Sequence, residues 1–67
     1  MNLRSQIENT NTFKSLNSIQ RTMTLAKTNL KHIEHGITVA KNIGYDKWSE
    51  ICQFTERNKN IVKELIN

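Results

Sequence analysis

The feature of this sequence that most constrains its fold is a seven-residue repeat of apolar side chains. Its two heptad positions hold Leu16, Met23, Leu30 and Ile37 (position a) and Ile19, Ala26, Ile33 and Ala40 (position d). Four consecutive heptads with both positions apolar are typical of a long helix that packs along its length on another helix. We therefore predict a long helix over residues 12–43, which begins after "NTNT" and ends at Gly44.

A second helix is predicted over residues 46–66. Asp46 suits its N-cap, because a carboxylate can accept backbone N–H bonds at the positive end of a helix. Its apolar residues again step by three and four: Trp48, Ile51, Phe54, Ile61 and Leu65. Asn58 interrupts that face. Two interpretations stay open: a buried Asn that fixes helix register, or an Asn at the edge that meets water.

Two local features leave alternatives. Gly36 lies inside the long helix and costs about 1 kcal/mol relative to Ala, but the heptads continue through it. We expect a continuous helix, with a break at residues 35–36 as the alternative. Residues 1–11 are predicted to hold a short helix over 2–8, with Ser5 and Glu8 spaced like a capping box, or else a flexible arm.

The predicted fold class is all-α: a single domain, residues 1–67, built as an antiparallel helical hairpin. A chain this short buries only about 60% of its unfolded surface, and a single core of this size rarely supplies more than about 3–5 kcal/mol. With Cys52 as its one cysteine, the chain cannot form an internal disulfide. We therefore expect it to dimerise into a helical bundle. This architecture resembles plasmid-encoded RNA-binding hairpins that dimerise into four-helix bundles, a likeness of fold only.

The corner between the helices, "AKNIGYDKWSEI" (residues 40–51), is open to two interpretations. "GITVAKNIGY" resembles the first helix and turn of a DNA-binding helix-turn-helix. In that motif the first residues of the second helix reach the bases. Here that helix would open with Asp46 and Glu50, whose carboxylates phosphate would repel. We expect the hinge of a hairpin.

The flanks of the predicted long helix differ in charge. One flank forms a basic stripe of Lys14, Arg21, Lys27, Lys31 and Lys41. No acidic residue occurs from Asn9 to Ile33, so this stripe is a candidate contact for nucleic-acid phosphates, or else a solvated face. The other flank is uncharged and suits a second interface. The candidate protein-interface residues are Leu25, His32, Val39 and Ile43 on this flank, with Tyr45 and Trp48 at the hinge.

The sequence offers little chemistry for catalysis. His32 and His35 are three residues apart on one helix face, but a metal site needs at least a third ligand. Cys52 falls on the apolar face, where a thiol is usually inert. Glycine-rich phosphate loops and paired catalytic carboxylates are absent from the sequence. We expect no enzyme activity, metal, cofactor or small-molecule substrate, and no membrane-spanning segment.

Two main function hypotheses follow, beside a third in which the chain is a structural coiled-coil piece of a larger assembly. The first is a small non-enzymatic regulatory or inhibitor protein that binds another macromolecule, a protein above all, through helix-face contacts. The alternative is a regulator that binds RNA or DNA through the basic stripe. The single free cysteine suggests a reducing cytoplasm, that of a bacterial cell or an infected host cell. The Asn-, Ile- and Lys-rich composition hints at a phage or plasmid source.

Overall fold

All regular secondary structure in residues 2–67, the part of the chain that the computed structural model describes, is helical, which confirms the all-α prediction. Its helices are α1 (Leu3–Glu8), α2 (Asn11–Lys14), α3 (Ser18–Thr24), α4 (Lys27–Ile43), α5 (Tyr45–Ile51) and α6 (Glu56–Ile66). None of these helices is long and apolar enough to cross a membrane.

The prediction of one continuous helix over residues 12–43 is wrong. A helix of that length would extend about 48 Å, whereas the largest dimension of the described chain is 32 Å. The segment folds instead as α2, α3 and α4. The breaks come at Asn17 and Ala26, where extended backbone (ψ 174° and 142°) separates consecutive helices. Folding the segment back on itself lets three short helices cover one core, which a single long helix cannot do.

The prediction of one helix over residues 46–66 is also wrong. The segment forms two helices, α5 and α6. Helix α5 begins at Tyr45, one residue before the predicted start, so Asp46 lies in its first turn and Gly44 is the N-cap. The helix then breaks at residues 52–55, where Cys52 is extended. Thr55 caps α6 by accepting a hydrogen bond from the backbone N–H of Asn58. The break allows Phe54 to pack edge-on against Trp48, with ring centroids 5.3 Å apart.

Three local predictions are confirmed. A short helix, α1, lies near the N-terminus, although its N-cap is Asn2 and the predicted capping box of Ser5 and Glu8 does not form its start. α4 runs through Gly36 without a break. The helix also ends at Gly44, which has φ 95° and ψ 144°. That backbone conformation is accessible to glycine and strained for other residues. Gly44 is the one residue between α4 and α5, so its conformation sets the corner of residues 40–51.

The buried core lies around α4, which packs against α1, α3, α5 and α6. Its buried apolar side chains are Ile7, Phe13, Ile33, Ala40, Trp48, Ile61 and Val62. Within residues 2–67, each helix contributes at least one of them except α3, whose single buried residue is Thr24. The heptad repeat therefore divides: Leu30, Ile33, Ile37 and Ala40 pack in the core, whereas Ile19, Met23 and Ala26 are exposed.

Candidate functional site

Helix α3 presents large apolar side chains to solvent. Ile19 is 71% exposed and Met23 55% exposed. They are four residues apart, so they lie on one face of the helix, one turn from each other. We call this pair the α3 face. Two neighbouring exposed aliphatic side chains on one turn of a small domain are a candidate contact for another molecule.

The opposite side of α3 is held firmly in place. Arg21 donates a 2.8 Å hydrogen bond to the carbonyl of Lys14, and its guanidinium carbon lies 5.4 Å from the centroid of the Phe13 ring. Thr24 is fully buried, and its backbone carbonyl accepts a 2.8 Å hydrogen bond from the Asn29 amide of α4. These contacts fix the orientation of α3. Ile19 and Met23 lie on the other side of the helix and therefore face solvent.

The local sequence explains why α3 starts where it does. The Asn17 side chain accepts a bond from the Gln20 backbone N–H (2.8 Å), and the Gln20 side chain accepts one from the Asn17 N–H (3.2 Å). This reciprocal pair is a capping box, which satisfies two backbone donors at the helix start. The spacing of Asn17 and Gln20 is visible in the sequence. This spacing is the signal that could have located the break before α3 and so predicted a separate helix there.

Two shallow grooves with basic walls share Arg4 of α1 as a lining residue. The first, with a volume of about 540 Å³, lies between α1, α2 and α3 and is lined by Arg4, Glu8, Phe13, Arg21, Thr22, Leu25 and Ala26. The second, of about 290 Å³, lies between α1 and α4 and is lined by Asn2, Leu3, Arg4, Lys27, Leu30, Lys31 and Glu34. Arg4 lines both, so the grooves adjoin. We call Arg4, Lys27 and Lys31 the basic rim. Arg21 is excluded because it is held by Lys14 and Phe13 on the side of α3 opposite the α3 face.

Helix α2, which forms one wall of the first groove, is anchored by Glu64 of α6. The Glu64 carboxylate accepts bonds from the backbone N–H groups of Asn11 (2.8 Å) and Thr12 (2.9 Å) and from the Thr12 hydroxyl (2.7 Å). Desolvation raises the pKa of Glu64. The hydrogen bonds and the charge of Lys14 lower it by more, so the pKa lies below its ordinary value. The ionised form therefore holds α2 in position.

The predicted interface residues differ in exposure. Trp48 is 3% exposed, and Leu25, Val39 and Tyr45 are half-buried against the core. His32 is exposed at one edge, but its ring stacks on Phe54 at 6.1 Å; Ile43 is 37% exposed. The side chains of this set that remain accessible are therefore those of His32 and Ile43, and Ile19 and Met23 were not among the predicted contacts.

The uncharged flank of the predicted long helix is covered within the chain. A Cβ atom placed on Gly36 would lie 2.8 Å from Cζ2 of Trp48 and 3.2 Å from Cε2 of Phe54, so the glycine permits close packing of α5 on α4. Asn29 and Asn58 pair through their amides, at 2.8 and 3.3 Å. Asn58 is 6% exposed, in agreement with the buried alternative.

The predicted basic stripe is only partly available. All five of its side chains are exposed, but Arg21 is engaged with Phe13 and Lys14. Lys27 and Lys31 share a groove with Arg4, a cation of α1 that the stripe did not include. Lys41 lies fourteen residues after Lys27 on α4, about 21 Å further along the helix. The breaks before α3 and α4 thus replace a linear stripe with a cluster near α1.

Neither a metal site nor a family assignment emerges. Within residues 2–67, no three His, Cys, Asp or Glu side chains lie together where they could hold a metal ion. Comparison with models of protein families, with curated proteins and with solved structures gave no match. The function of this chain is therefore argued from its own surface.

Proposed function

We propose that this chain is a small non-enzymatic protein that acts by binding another protein, as a regulator or inhibitor, through the α3 face. The observation that carries the proposal is the exposure of Ile19 and Met23 on a helix whose other side is fixed. Interfaces gain most of their affinity from a few apolar anchors that become fully desolvated. A rigid helix loses little conformational entropy on binding, so both side chains can serve as such anchors.

The homodimer expected from the heptads is the first competitor for this surface. The apolar heptad residues of α4 pack within the chain, so dimerisation through the repeat would use Ile19 and Met23. A second copy, however, would bring a second acid-free segment with it. Residues 9–33 hold four Lys or Arg and no acid, a charge of +4 on each copy. Like-charge repulsion opposes that pairing, and we favour a different protein as the partner.

Nucleic-acid binding is the second candidate, favoured by the exposure of Lys14, Lys27, Lys31 and Lys41. It predicts binding to duplex DNA or structured RNA that weakens steeply with salt. A protein that neutralises about four phosphates loses on the order of a hundredfold in duplex affinity between about 50 and 200 mM salt. Fluorescence anisotropy at both salt concentrations measures that slope.

Site-specific photo-crosslinking tests the proposed function. A benzophenone amino acid replaces Ile19 in one variant and Ile51 in another; Ile51 is 64% exposed but lies at the end of α5. We expect position 19 to crosslink a defined protein in extracts of the cells that make this chain, and position 51 not to. The purified partner should bind the wild-type chain and lose affinity for the Ile19→Gln/Met23→Gln variant.

Three results would contradict the proposal. Equal labelling from positions 19 and 51 would mean that the α3 face has no special partner. Crosslinks only to a second copy would establish the homodimer instead, and sedimentation equilibrium would confirm its mass. Binding of the purified protein that survives the double substitution would place the contact elsewhere on the chain. In each case the α3 face would lose its proposed role.

A further inference from the structure

We infer that the partner of the α3 face is an acidic amphipathic helix, whose apolar side packs on Ile19 and Met23 and whose carboxylates meet the basic rim. This inference deepens the proposed function and rests on it, because it names the class of partner that the same surface binds.

The apolar part of the surface suits a helix. Ile19 and Met23 span one turn of α3, and an amphipathic partner helix presents anchors at the same spacing. On a helical projection Thr22 lies about 60° from Ile19, and Thr22 also lines the groove between α1, α2 and α3. Thr22 thus lies between the α3 face and that groove on the surface of α3. A helix laid beside α3 would cover both Ile19 and Met23 and the edge of the groove.

The charge around this surface is positive. The segment of residues 9–33 carries +4, which equals the formal net charge of the whole chain. The two grooves are lined by four cations, Arg4, Arg21, Lys27 and Lys31, and by two acids, Glu8 and Glu34. A net positive rim attracts acidic partners, raises their association rate and repels basic ones.

Lys27 supports a role in binding because its position is unfavourable for the fold. It is the first residue of α4, where the helix dipole disfavours a positive charge. The N-cap before it is Ala26, which has no side-chain oxygen to bond the free backbone N–H groups. The first turn contains no acid either. Local choices that oppose stability are expected at functional sites, where another requirement outweighs them.

The same surface is less suited to nucleic acid. Single-stranded nucleic acids stack their bases on exposed aromatic side chains. Every Phe, Tyr and Trp of this chain lies in the described residues, and none is exposed: Phe13 and Trp48 are buried, and Tyr45 and Phe54 are half-buried. Ile19 and Met23 gain nothing from contact with phosphate, whereas an apolar helix face would remove them from water. The surface therefore favours an acidic protein segment.

A peptide-binding experiment tests the inference on the full chain. The probe is a fluorescein-labelled helical peptide with Leu on one face and Glu on the other. A matched peptide carries Gln in place of every Glu, and a labelled single-stranded DNA and a labelled RNA hairpin serve as nucleic-acid probes. Anisotropy is recorded at about 50 and 200 mM salt, because screening weakens contacts between exposed charges over that range.

The expected result separates the apolar and charged contributions. The Leu/Glu peptide should bind about tenfold more tightly than the Leu/Gln peptide at low salt. Ile19→Gln/Met23→Gln should weaken binding at least about tenfold, because two apolar anchors are lost. Lys27→Gln/Lys31→Gln should weaken it about fivefold and flatten the salt dependence. Removing the cation from the start of α4 should leave the urea midpoint unchanged or slightly higher, so reduced stability would not explain the weaker binding.

Matched controls report on net charge and general hydrophobicity. Lys41→Gln/Lys47→Gln removes the same charge from exposed lysines that line neither groove, and Ile51→Gln removes an equally exposed aliphatic side chain. Both controls should bind the Leu/Glu peptide within about twofold of the wild-type chain. Equal losses in the controls would overturn the inference, since binding would then follow bulk charge or bulk hydrophobicity.

The remaining outcomes separate failure of this inference from failure of the proposed function. If the Leu/Gln peptide binds as tightly as the Leu/Glu peptide, the acidic class is wrong, while loss of binding in Ile19→Gln/Met23→Gln would still support the α3 face. If no peptide binds but position 19 crosslinks a protein, the partner chemistry is wrong and the proposed function stands. If DNA or RNA binds more tightly than the peptide and only the lysine variant loses it, the surface is a nucleic-acid interface.

Discussion

Two regions of this chain carry the same apolar repeat in different surroundings. In the α4–α5–α6 region, heptad residues such as Ile33 and Ala40 are buried, and Trp48 and Phe54 pack over Gly36. In α3 the equivalent residues Ile19 and Met23 are exposed. The periodicity is identical in both regions, so apolar spacing alone does not distinguish side chains that pack within the chain from side chains that remain exposed.

The difference arises from what surrounds each helix. α4 has 17 residues and meets α1, α3, α5 and α6, whereas α3 has seven residues and its main helix contact is α4. Polar contacts from Arg21, Thr24 and Asn29 hold α3 in position without using its apolar face. Substitutions of apolar residues should therefore lower the free energy of unfolding strongly in the α4–α5–α6 region and only slightly in α3.

Trp48→Ala is expected to have the largest effect. Removing a buried Trp typically costs about 3–5 kcal/mol, which is about the whole stability available to a domain of this size. We expect the far-ultraviolet circular dichroism of α-helix to be largely lost at room temperature. Trp48→Phe, the control, keeps an aromatic ring and should retain a cooperative transition. A helical Trp48→Ala variant that unfolds cooperatively would show that the core does not depend on this contact.

Gly36→Ala should cost about 1–2 kcal/mol, because the new methyl group meets Trp48 at 2.8 Å and Phe54 at 3.2 Å. Helix propensity acts in the other direction, by about 1 kcal/mol in favour of Ala, so a net loss would identify the steric contact. Urea unfolding of both single variants and of Gly36→Ala/Trp48→Phe forms a double-mutant cycle. A smaller ring should relieve part of the clash; strictly additive effects would mean that the two residues do not interact.

Asn58→Ala should destabilise the chain by about 1–3 kcal/mol, since it leaves the Asn29 amide without its buried partner. Asn29→Ala should cost slightly more, because that side chain also bonds the carbonyl of Thr24. The variant with both substitutions should lose less than the sum of the two. Chemical denaturation gives all three values, and additivity would argue against the paired amides.

Sequence reasoning located some elements because their signals are local. The all-α class follows from the absence of proline and the 3.6-residue periodicity, and the end of α4 follows from Gly44. The breaks depend on weaker signals. Asn17 and Gln20 have capping-box spacing, but the heptad pattern also passes through this segment, so the two local signals conflict. Ala26 has no side chain that can cap a helix, so no local sequence signal marks the break before α4.

The candidate site was harder to predict because it depends on tertiary packing. The basic residues of α3 and α4 were identified correctly as exposed, but Arg4 joins them only because α1 folds against α4. Trp48 was predicted at an interface and lies in the core, since the extended backbone at residues 52–55 lets Phe54 fold over it. Exposure of Ile19 and Met23 is likewise a consequence of the fold as a whole.

Glu64→Gln should have a smaller effect, about 1 kcal/mol or less at neutral pH, because the carboxylate caps α2 at a partly exposed position. The pKa of Glu64 is lower in the folded chain than its ordinary value of 4.5. Its contribution is therefore present above that value and is lost as the pH falls through the lower, folded pKa. The difference in urea stability between wild type and variant should shrink below about pH 4.5; a difference that stays constant with pH would contradict the capping role.

The most direct test of the comparison is the free energy of unfolding of Ile19→Gln/Met23→Gln, measured by urea denaturation beside the wild-type chain. Gln is a good helix former, so the change removes apolar surface while keeping α3. If the α3 face is reserved for another molecule, the two free energies should agree within about 0.5 kcal/mol. A loss of about 2 kcal/mol or more would show that these side chains stabilise the chain itself, and the division between a folding half and a binding half of the repeat would be wrong.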